Sequence, residues 1–142
     1  MSAAGADLVA TAAGAAGQKL LNLDQVSIAL SSGARQHTLI DRLSLTVAKG
    51  ETVALVGESG SGKSLTARAI VGLLPARVRV VSGSIRMDGE DLASLPPHAM
   101  NAIRGRRIGM IFQQPQQMLD PTCRVGPQVV EAERLGQVVV HT

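Results

Sequence analysis

A glycine-rich loop at residues 57–64, with the sequence GESGSGKS, restricts the folds open to this chain of 142 residues more than any other feature. The loop matches the pattern G-x-x-x-x-G-K-[ST] at every fixed position. A continuous apolar run (52–57) leads into it, and apolar residues at helical spacing (63–74) follow it. A loop of this kind between a strand buried on both faces and a helix is typical of the phosphate-binding site of an α/β protein.

The backbone of the loop suits an anion. Gly57, Gly60 and Gly62 can adopt positive φ, which lets N–H groups of the loop turn inward around a phosphate. The helix that starts near Lys63 directs its free N–H groups and its positive dipole end at the same place. The sequence therefore predicts that this loop binds phosphate.

The side chains of the loop add charge and a metal ligand. Lys63 supplies a positive charge to the β- and γ-phosphates of a nucleotide, and Ser64 offers a hydroxyl to Mg²⁺. We expect only backbone contacts from Glu58 and Ser59. The predicted phosphate-binding residues are Gly57, Glu58, Ser59, Gly60, Ser61, Gly62, Lys63 and Ser64.

Composition excludes several other classes of protein. A net charge of +3 is weaker than a nucleic-acid groove demands, and a chain with one Phe and no Tyr or Trp lacks platforms for stacking single-stranded bases. One cysteine cannot form a disulfide framework or a cysteine-rich zinc module. The apolar stretches are shorter than the roughly 20 residues that a membrane crossing needs. We therefore expect no nucleic-acid partner and no insertion into a membrane.

The N-terminal part of the chain is predicted to contain a leader and a hairpin. Residues 1–18 are rich in Ala and Gly, which indicates a flexible leader without regular structure, and we expect the folded domain to occupy residues 19–142. Alternating apolar and polar residues at 20–30 and 43–48, separated by a Gly-containing loop, predict an antiparallel β-hairpin.

The rest of the chain is predicted to alternate β-rich and helical segments. Residues 80–92 are β-rich and contain an Asp88-Gly89 turn signal, and residues 96–105 predict a short helix opened by prolines. Residues 107–113 predict a second buried strand, and residues 125–136 a further helix.

The neighbourhood of the loop resembles the nucleotide-binding domain of ABC transporters. The resemblance begins at residues 49–64, and residues 108–115 (IGMIFQQP) are similar to the Q-loop of that family. Residues 72–85 and 119–126 resemble its peptide and nickel importers. The resemblance covers residues 20–136 and implies an α/β P-loop NTPase fold of the ABC type, with an antiparallel β subdomain.

The resemblance also implies a function. The chain would be the ATP-binding subunit of a peptide or nickel importer, binding Mg-ATP to energise transport. Gln113 would contact Mg²⁺ and the attacking water, so that Ser64 and Gln113 would be the Mg²⁺ ligands. Transmembrane permease subunits and a second nucleotide-binding subunit, in a homo- or heterodimer, would be the partners. The location would be the cytoplasmic face of the cell membrane.

The adenine site departs from the family pattern. The family stacks an aromatic residue on the base, and by its spacing from the loop this position falls near Leu30. The chain has no Tyr or Trp to offer there. We therefore expect apolar contact without stacking, reduced nucleotide affinity and weak selectivity between bases.

The catalytic elements of the family are not found in the sequence. The carboxylates after Ser64 are Asp88, Glu90, Asp91, Asp120, Glu131 and Glu133, and none ends an apolar strand as a Walker B aspartate does. Residues 30–34 (LSSGA) echo the LSGGQ signature but precede the loop, and His141 only mimics the switch histidine of the family. We therefore expect the chain to stop inside the domain, to leave the strand at 52–57 with an unpaired edge, and to hydrolyse no ATP by itself.

Two other functions are compatible with a phosphate-binding loop. One is a non-catalytic binding module or decoy that docks on a permease subunit. The other is a different P-loop enzyme, such as a small-molecule kinase or a GTPase, although the N/T-K-x-D element of guanine recognition is not in the sequence.

Overall fold

The computed structural model describes residues 9–13, 17–33, 35–112, 122, 124, 126 and 139–141. The chain divides into two compact units, Met1–Ser94 and Leu95–Thr142. The elements of the first unit are β1 (Val9–Ala13), β2 (Lys19–Ser32), β3 (Arg35–Ala48), β4 (Thr52–Val56), α1 (Lys63–Ile70), β5 (Val78–Met87), β6 (Glu90–Asp91) and a 3₁₀ turn (Leu92–Ser94). The elements of the second unit are α2 (Pro97–Ile103), β7 (Gly109–Ile111) and β8 (Val139–His141).

A four-stranded antiparallel sheet with the order β3-β2-β5-β6 dominates the first unit. The predicted hairpin forms one side of this sheet, with β3 at the edge. Its arms are longer than the alternating pattern indicated, because β2 and β3 pair from Lys19↔Ala48 to Ser32↔Arg35. The apolar residues of β2 are buried at Leu23, Val26 and Ile28. The α/β class with an antiparallel β subdomain, predicted from the sequence, is therefore confirmed.

β2 carries several irregularities where its pairing register shifts. One lies opposite β5 between Asp24 and Ser27. Gly83 faces it with φ of +84°, and a Cβ atom added to Gly83 would overlap the carbonyl oxygens of Asp24 and Gln25. Only glycine allows so close an approach of two strands, and this permits β5 to follow the irregular edge of β2.

The strand that leads into the phosphate-binding loop has a partner that the sequence did not predict. β4 pairs antiparallel with β1, from Val9↔Val56 to Ala13↔Thr52. The expectation that residues 1–18 lack regular structure is therefore wrong for Val9–Ala13. The expectation that the strand at 52–57 has an unpaired edge is wrong for the edge that β1 covers. The side chains of β4 alternate between exposed and half-buried, so the strand is not buried on both faces as predicted.

α1 follows the loop and is shorter than the predicted segment 63–74 because the backbone turns after Ile70. Gly72 adopts φ of +64°, and its N–H donates to the carbonyl of Ala69 at 3.1 Å. The N–H of Leu73 donates to the carbonyl of Arg68 at 2.8 Å. These bonds satisfy carbonyls that the end of a helix leaves free. α1 packs beside β5 and the 3₁₀ turn, and its Ala67, Ala69 and Ile70 are buried.

The second unit contains the remaining predicted elements. α2 begins at Pro97, as its opening prolines indicated, and buries Met100 and Ile103. β7 is shorter than the predicted strand 107–113 and only partly buried, because Ile111 is 43% exposed. β7 pairs in parallel with β8, which the sequence analysis missed. Most of the predicted helix at 125–136 lies outside the described residues. Gly126, which is described, is helical. No helix in the described part of the chain is long and apolar enough to cross a membrane.

The pairing of β1 with β4 can be tested with two neighbouring prolines. In an antiparallel pair the N–H groups of adjacent residues point to opposite sides, so of Ala10 and Thr11 one donates to β4 and the other points away. Proline removes the N–H, and loss of one ladder bond destabilises the fold by about 1–3 kcal/mol. We expect one of Ala10→Pro and Thr11→Pro to lower the melting temperature and raise light scattering on heating, and the other to behave as wild type. Identical behaviour of the two variants would contradict the pairing.

Candidate functional site

The predicted phosphate-binding loop connects the end of β4 at Val56 to the start of α1 at Lys63. Gly60 and Gly62 adopt φ of +86° and +96°, the left-handed region that favours glycine. Gly57, which could also adopt a positive φ, does not do so here. Its backbone carbonyl contributes instead, as an acceptor for the lysine of the loop.

The first turn of α1 leaves backbone N–H groups available to a ligand. Gly62 is the N-cap residue and provides no side-chain cap. The N–H of Thr66 donates to the carbonyl of Gly62 at 2.8 Å, which is the first hydrogen bond of the helix. The N–H groups of Lys63, Ser64 and Leu65 therefore have no acceptor within the helix. Together with the positive end of the helix dipole, these groups favour an anion at this position.

The ammonium group of Lys63 lies within the loop. Its Nζ donates to the carbonyl oxygens of Gly57 at 2.7 Å and Glu58 at 2.6 Å, and to Oγ of Ser61 at 3.2 Å. The N–H of Ser61 donates to the carbonyl of Glu58 at 3.2 Å, which closes a turn. All three donors of the ammonium are thus engaged by groups of the loop, and its positive charge lies within the loop.

The base of the loop is fixed by a buried threonine. Thr66 is 1% exposed, and its Oγ1 donates to the carbonyl of Gly62 at 3.0 Å, in addition to the bond from its N–H. Two bonds from one residue therefore orient the peptide group that joins the loop to α1. Thr66 is not among the residues predicted from the sequence, although it is a polar residue on the otherwise apolar buried face of α1.

The loop also rests on the hairpin. A Cβ atom added to Gly62 would lie 2.9 Å from Cγ1 and 3.0 Å from Cδ1 of Ile40, a residue of β3. The absence of a side chain at Gly62 therefore lets the end of the loop approach the sheet closely. The candidate site therefore lies on the face of β3 to which the side chain of Ile40 points.

Of the remaining residues predicted to bind the nucleotide, three are exposed and one lies outside the described part of the chain. Glu58 and Ser59 are exposed, and Ser64 is exposed in the first turn of α1. Gln113, the second predicted Mg²⁺ ligand, lies outside the described residues. No group of three His, Cys, Asp or Glu among the described residues could hold a metal ion. The hydroxyl of Ser64 suits Mg²⁺, because this ion keeps several waters and takes its other ligands from the phosphates.

The elements that mimic catalytic motifs have structural roles. Residues 30–33 of the signature-like segment form the end of β2 and the turn of the hairpin, where Gly33 adopts φ of +60°. Asp88 and Gly89, with φ of +50° and +86°, form the predicted turn between β5 and β6. Asp88 therefore lies in a hairpin turn, and its strand β5 pairs with β2 and β6.

Comparison with known proteins gives consistent matches. A family model described as "ABC transporter" matches residues 40–139. The peptidoglycan transport ATP-binding protein YejF of Agrobacterium fabrum is 42% identical over 123 residues, which are 86% of this chain and 22% of YejF. The oligopeptide transport ATP-binding protein OppD of Escherichia coli is 42% identical over 112 residues, 79% of this chain and 33% of OppD. The chain thus spans a third or less of the length of these relatives.

Solved structures agree in fold. The dimeric structure of MJ0796, a bacterial ABC transporter cassette, superposes with a TM-score of 0.55 at 22% identity, covering 67% of this chain and 39% of that one. A dimeric post-hydrolysis state of the same cassette, bound to ADP and Pi, has a TM-score of 0.55 at 19% identity and covers 82% of this chain and 54% of the other. The predicted P-loop NTPase fold is confirmed by these matches.

The close contact of the loop with β3 predicts different costs for alanine at two glycines. At Gly60 nothing lies within 4 Å of an added Cβ, so Gly60→Ala meets only the strain of a left-handed backbone, about 1–2 kcal/mol. Gly62→Ala adds a collision with Ile40, worth a further 1–3 kcal/mol, roughly. We expect urea denaturation to show the larger loss for Gly62→Ala. Equal losses would mean that the contact with Ile40 carries no energy.

Proposed function

The chain belongs to the ABC transporter family, and we propose that it is the nucleotide-binding part of an ATP-binding subunit of a peptide importer. The names of YejF and OppD support peptides or peptidoglycan fragments as the transported class, in preference to nickel. In the proposed role the chain binds Mg-ATP through residues 57–64, and the full-length subunit uses ATP to energise transport.

The observation that carries the proposal is that free backbone donors and a positive charge lie together in one short segment of the chain. The free N–H groups of Lys63, Ser64 and Leu65 and the ammonium of Lys63 all belong to the turn that follows Gly62. Gly60 and Gly62 of the loop adopt left-handed backbone angles. Such a set of donors fits the β- and γ-phosphates of a nucleotide, which carry several negative charges and many acceptor oxygens.

The metal ion belongs to the same proposal. Ser64 would hold Mg²⁺ through its hydroxyl, and Gln113 would contact the ion through its side-chain amide oxygen. When bound, the ion neutralises charge on the phosphates. A glutamine suits this role because its side chain donates and accepts hydrogen bonds without carrying a charge.

The partners and location follow from the same family membership. We propose that the subunit docks on transmembrane permease subunits at the cytoplasmic face of the cell membrane and pairs with a second nucleotide-binding subunit. The MJ0796 cassette is dimeric in its solved structure, which supports a paired arrangement. Association with the membrane would then occur through these protein partners.

Binding of ATP can be tested with two variants that each remove one positive charge from α1. Lys63→Ala removes the ammonium that faces the loop, whereas Arg68→Ala removes an exposed charge from the last turn of the same helix. Loss of a charged hydrogen bond costs about 1.5–3 kcal/mol, which corresponds to a ten- to hundredfold change in Kd, roughly. We expect calorimetric titration to show this loss for Mg-ATP and for tripolyphosphate with Lys63→Ala.

Arg68→Ala is expected to bind both ligands as the wild type does, which controls for the general effect of charge. Equal affinities of the two variants would exclude Lys63 from phosphate binding and contradict the proposal.

The chain by itself is expected to release no phosphate from ATP. Asp88, Glu90 and Asp91 lie around the turn between β5 and β6, which offers no carboxylate at the end of a strand beside β4. A phosphate-release assay with Mg-ATP should give the same rate for the wild type and for Lys63→Ala. A faster rate in the wild type, lost in Lys63→Ala and kept in Arg68→Ala, would show turnover and overturn this expectation.

A further inference from the structure

The side chain of Ser61 is buried, unlike the other serines of the phosphate-binding loop. Ser61 is 5% exposed, whereas Ser59 and Ser64 are exposed. A buried hydroxyl needs a hydrogen-bond partner, because the loss of its contacts with water otherwise costs free energy. For Ser61 that partner is the ammonium of Lys63, whose Nζ donates to Oγ at 3.2 Å. The hydroxyl of Ser61 therefore contacts the charge that the proposed function assigns to the phosphates.

The two other acceptors of the ammonium are backbone groups. Nζ of Lys63 donates to the carbonyl oxygens of Gly57 at 2.7 Å and Glu58 at 2.6 Å. The carbonyl of Glu58 also accepts from the N–H of Ser61 at 3.2 Å. The bond to Oγ of Ser61 is thus the longest of the three bonds of the ammonium. It is also the one that a substitution of the accepting side chain can remove.

A bound phosphate has to compete with these three acceptors. An ammonium has three donors, and each donor of Lys63 already has an acceptor within the loop. A phosphate oxygen can therefore accept from Lys63 only if one of the existing bonds breaks or is shared. Hydrogen bonds weaken as they lengthen, so the bond to Ser61 breaks at the lowest cost.

We infer that the hydroxyl of Ser61 restrains Lys63 and lowers the affinity of the loop for phosphate, an inference that rests on the proposed binding of ATP. Ser61 is a positioning residue, because its side chain acts on the ligand through the ammonium. When a phosphate takes the third donor of Lys63, the hydroxyl of Ser61 loses its donor in buried surroundings. The cost of this exchange makes binding less favourable.

Replacement of Ser61 by alanine tests the restraint. Alanine removes the acceptor and leaves no buried hydroxyl behind, so the third donor of Lys63 becomes available to the ligand. We expect calorimetric titration to show that Ser61→Ala binds Mg-ATP and tripolyphosphate about two- to tenfold more tightly than the wild type, the range for one hydrogen bond. Ser61→Cys keeps a side chain of similar size with a weaker acceptor, so its affinity should change in the same direction.

Ser59→Ala is the matched control. Ser59 belongs to the same loop, is exposed, and accepts none of the three bonds of Lys63. We expect this variant to bind both ligands with the affinity of the wild type. A gain as large as that of Ser61→Ala would assign the effect to the loop in general and contradict a specific role of Ser61.

A double variant shows whether Ser61 acts through Lys63. If it does, removal of the hydroxyl changes nothing once the ammonium is gone. We therefore expect Lys63→Ala and the combination of Lys63→Ala with Ser61→Ala to bind tripolyphosphate equally. A gain from Ser61→Ala that persists without Lys63 would show that Ser61 acts on the loop backbone, which would overturn the inference.

The restraint can also be measured without a phosphate ligand. The amine of Lys63 can react with an acylating reagent only while its bonds to the loop are broken, so removal of one bond should speed this reaction. We expect Ser61→Ala to raise the modification of Lys63 at least twofold relative to Lys49, which is exposed. Mass spectrometry of the digested protein gives this ratio, which Ser59→Ala should leave unchanged.

The outcomes separate this inference from the proposed function. If the wild-type chain binds neither Mg-ATP nor tripolyphosphate, the proposed function is wrong, and so is the effect of Ser61 on affinity. If both ligands bind, and Ser61→Ala and Ser61→Cys bind them no more tightly than the wild type, the phosphate-binding loop stands and the inference about Ser61 is overturned.

Discussion

The close approach of Gly62 to Ile40 is the contact on which the rest of the candidate site depends. It fixes the start of α1 against the sheet, and the start of α1 carries both the free N–H groups and Lys63. Thr66 adds a second constraint through its two bonds to the carbonyl of Gly62. The loop is thus held at one peptide group between a strand and a helix. A site that must surround an anion with backbone N–H groups benefits from such rigidity, since preorganised donors need no further ordering when the ligand arrives.

The elements that the sequence predicted well are those whose local signals agree with their tertiary surroundings. The hairpin has alternating residues and a glycine turn, α2 has prolines at its start, and the Asp88-Gly89 turn has the residues that positive φ requires. The loop at 57–64 is recognisable because it matches every fixed position of the phosphate-binding pattern. At these positions local preference and global fold give the same answer.

The features that the sequence analysis missed depend on contacts between distant residues. β1 is made largely of alanine, which has a low strand propensity, so its conformation is set by pairing with β4. The face of the sheet on which His37 lies depends on Leu39, the extra residue of β3 where the register between β2 and β3 shifts. No residue type in the sequence signals this shift. The role of the Gly57 carbonyl depends on where the side chain of Lys63 turns. Each of these is a property of register or side-chain direction, which residue spacing alone does not determine.

The geometry of the hairpin also has a consequence for how this chain folds. Lys19 pairs with Ala48 at the open end of the hairpin, and the N–H of Lys49 donates to the carbonyl of Gln18 at 2.8 Å. The segments that leave the two arms therefore emerge side by side, already antiparallel. β1 and β4 continue these arms, with Ala13 opposite Thr52. Once the hairpin has formed, joining β1 to β4 closes only a short loop, and the entropic cost of ordering an alanine-rich strand is correspondingly small. Formation of the hairpin thus prepares the strand that carries the phosphate-binding loop.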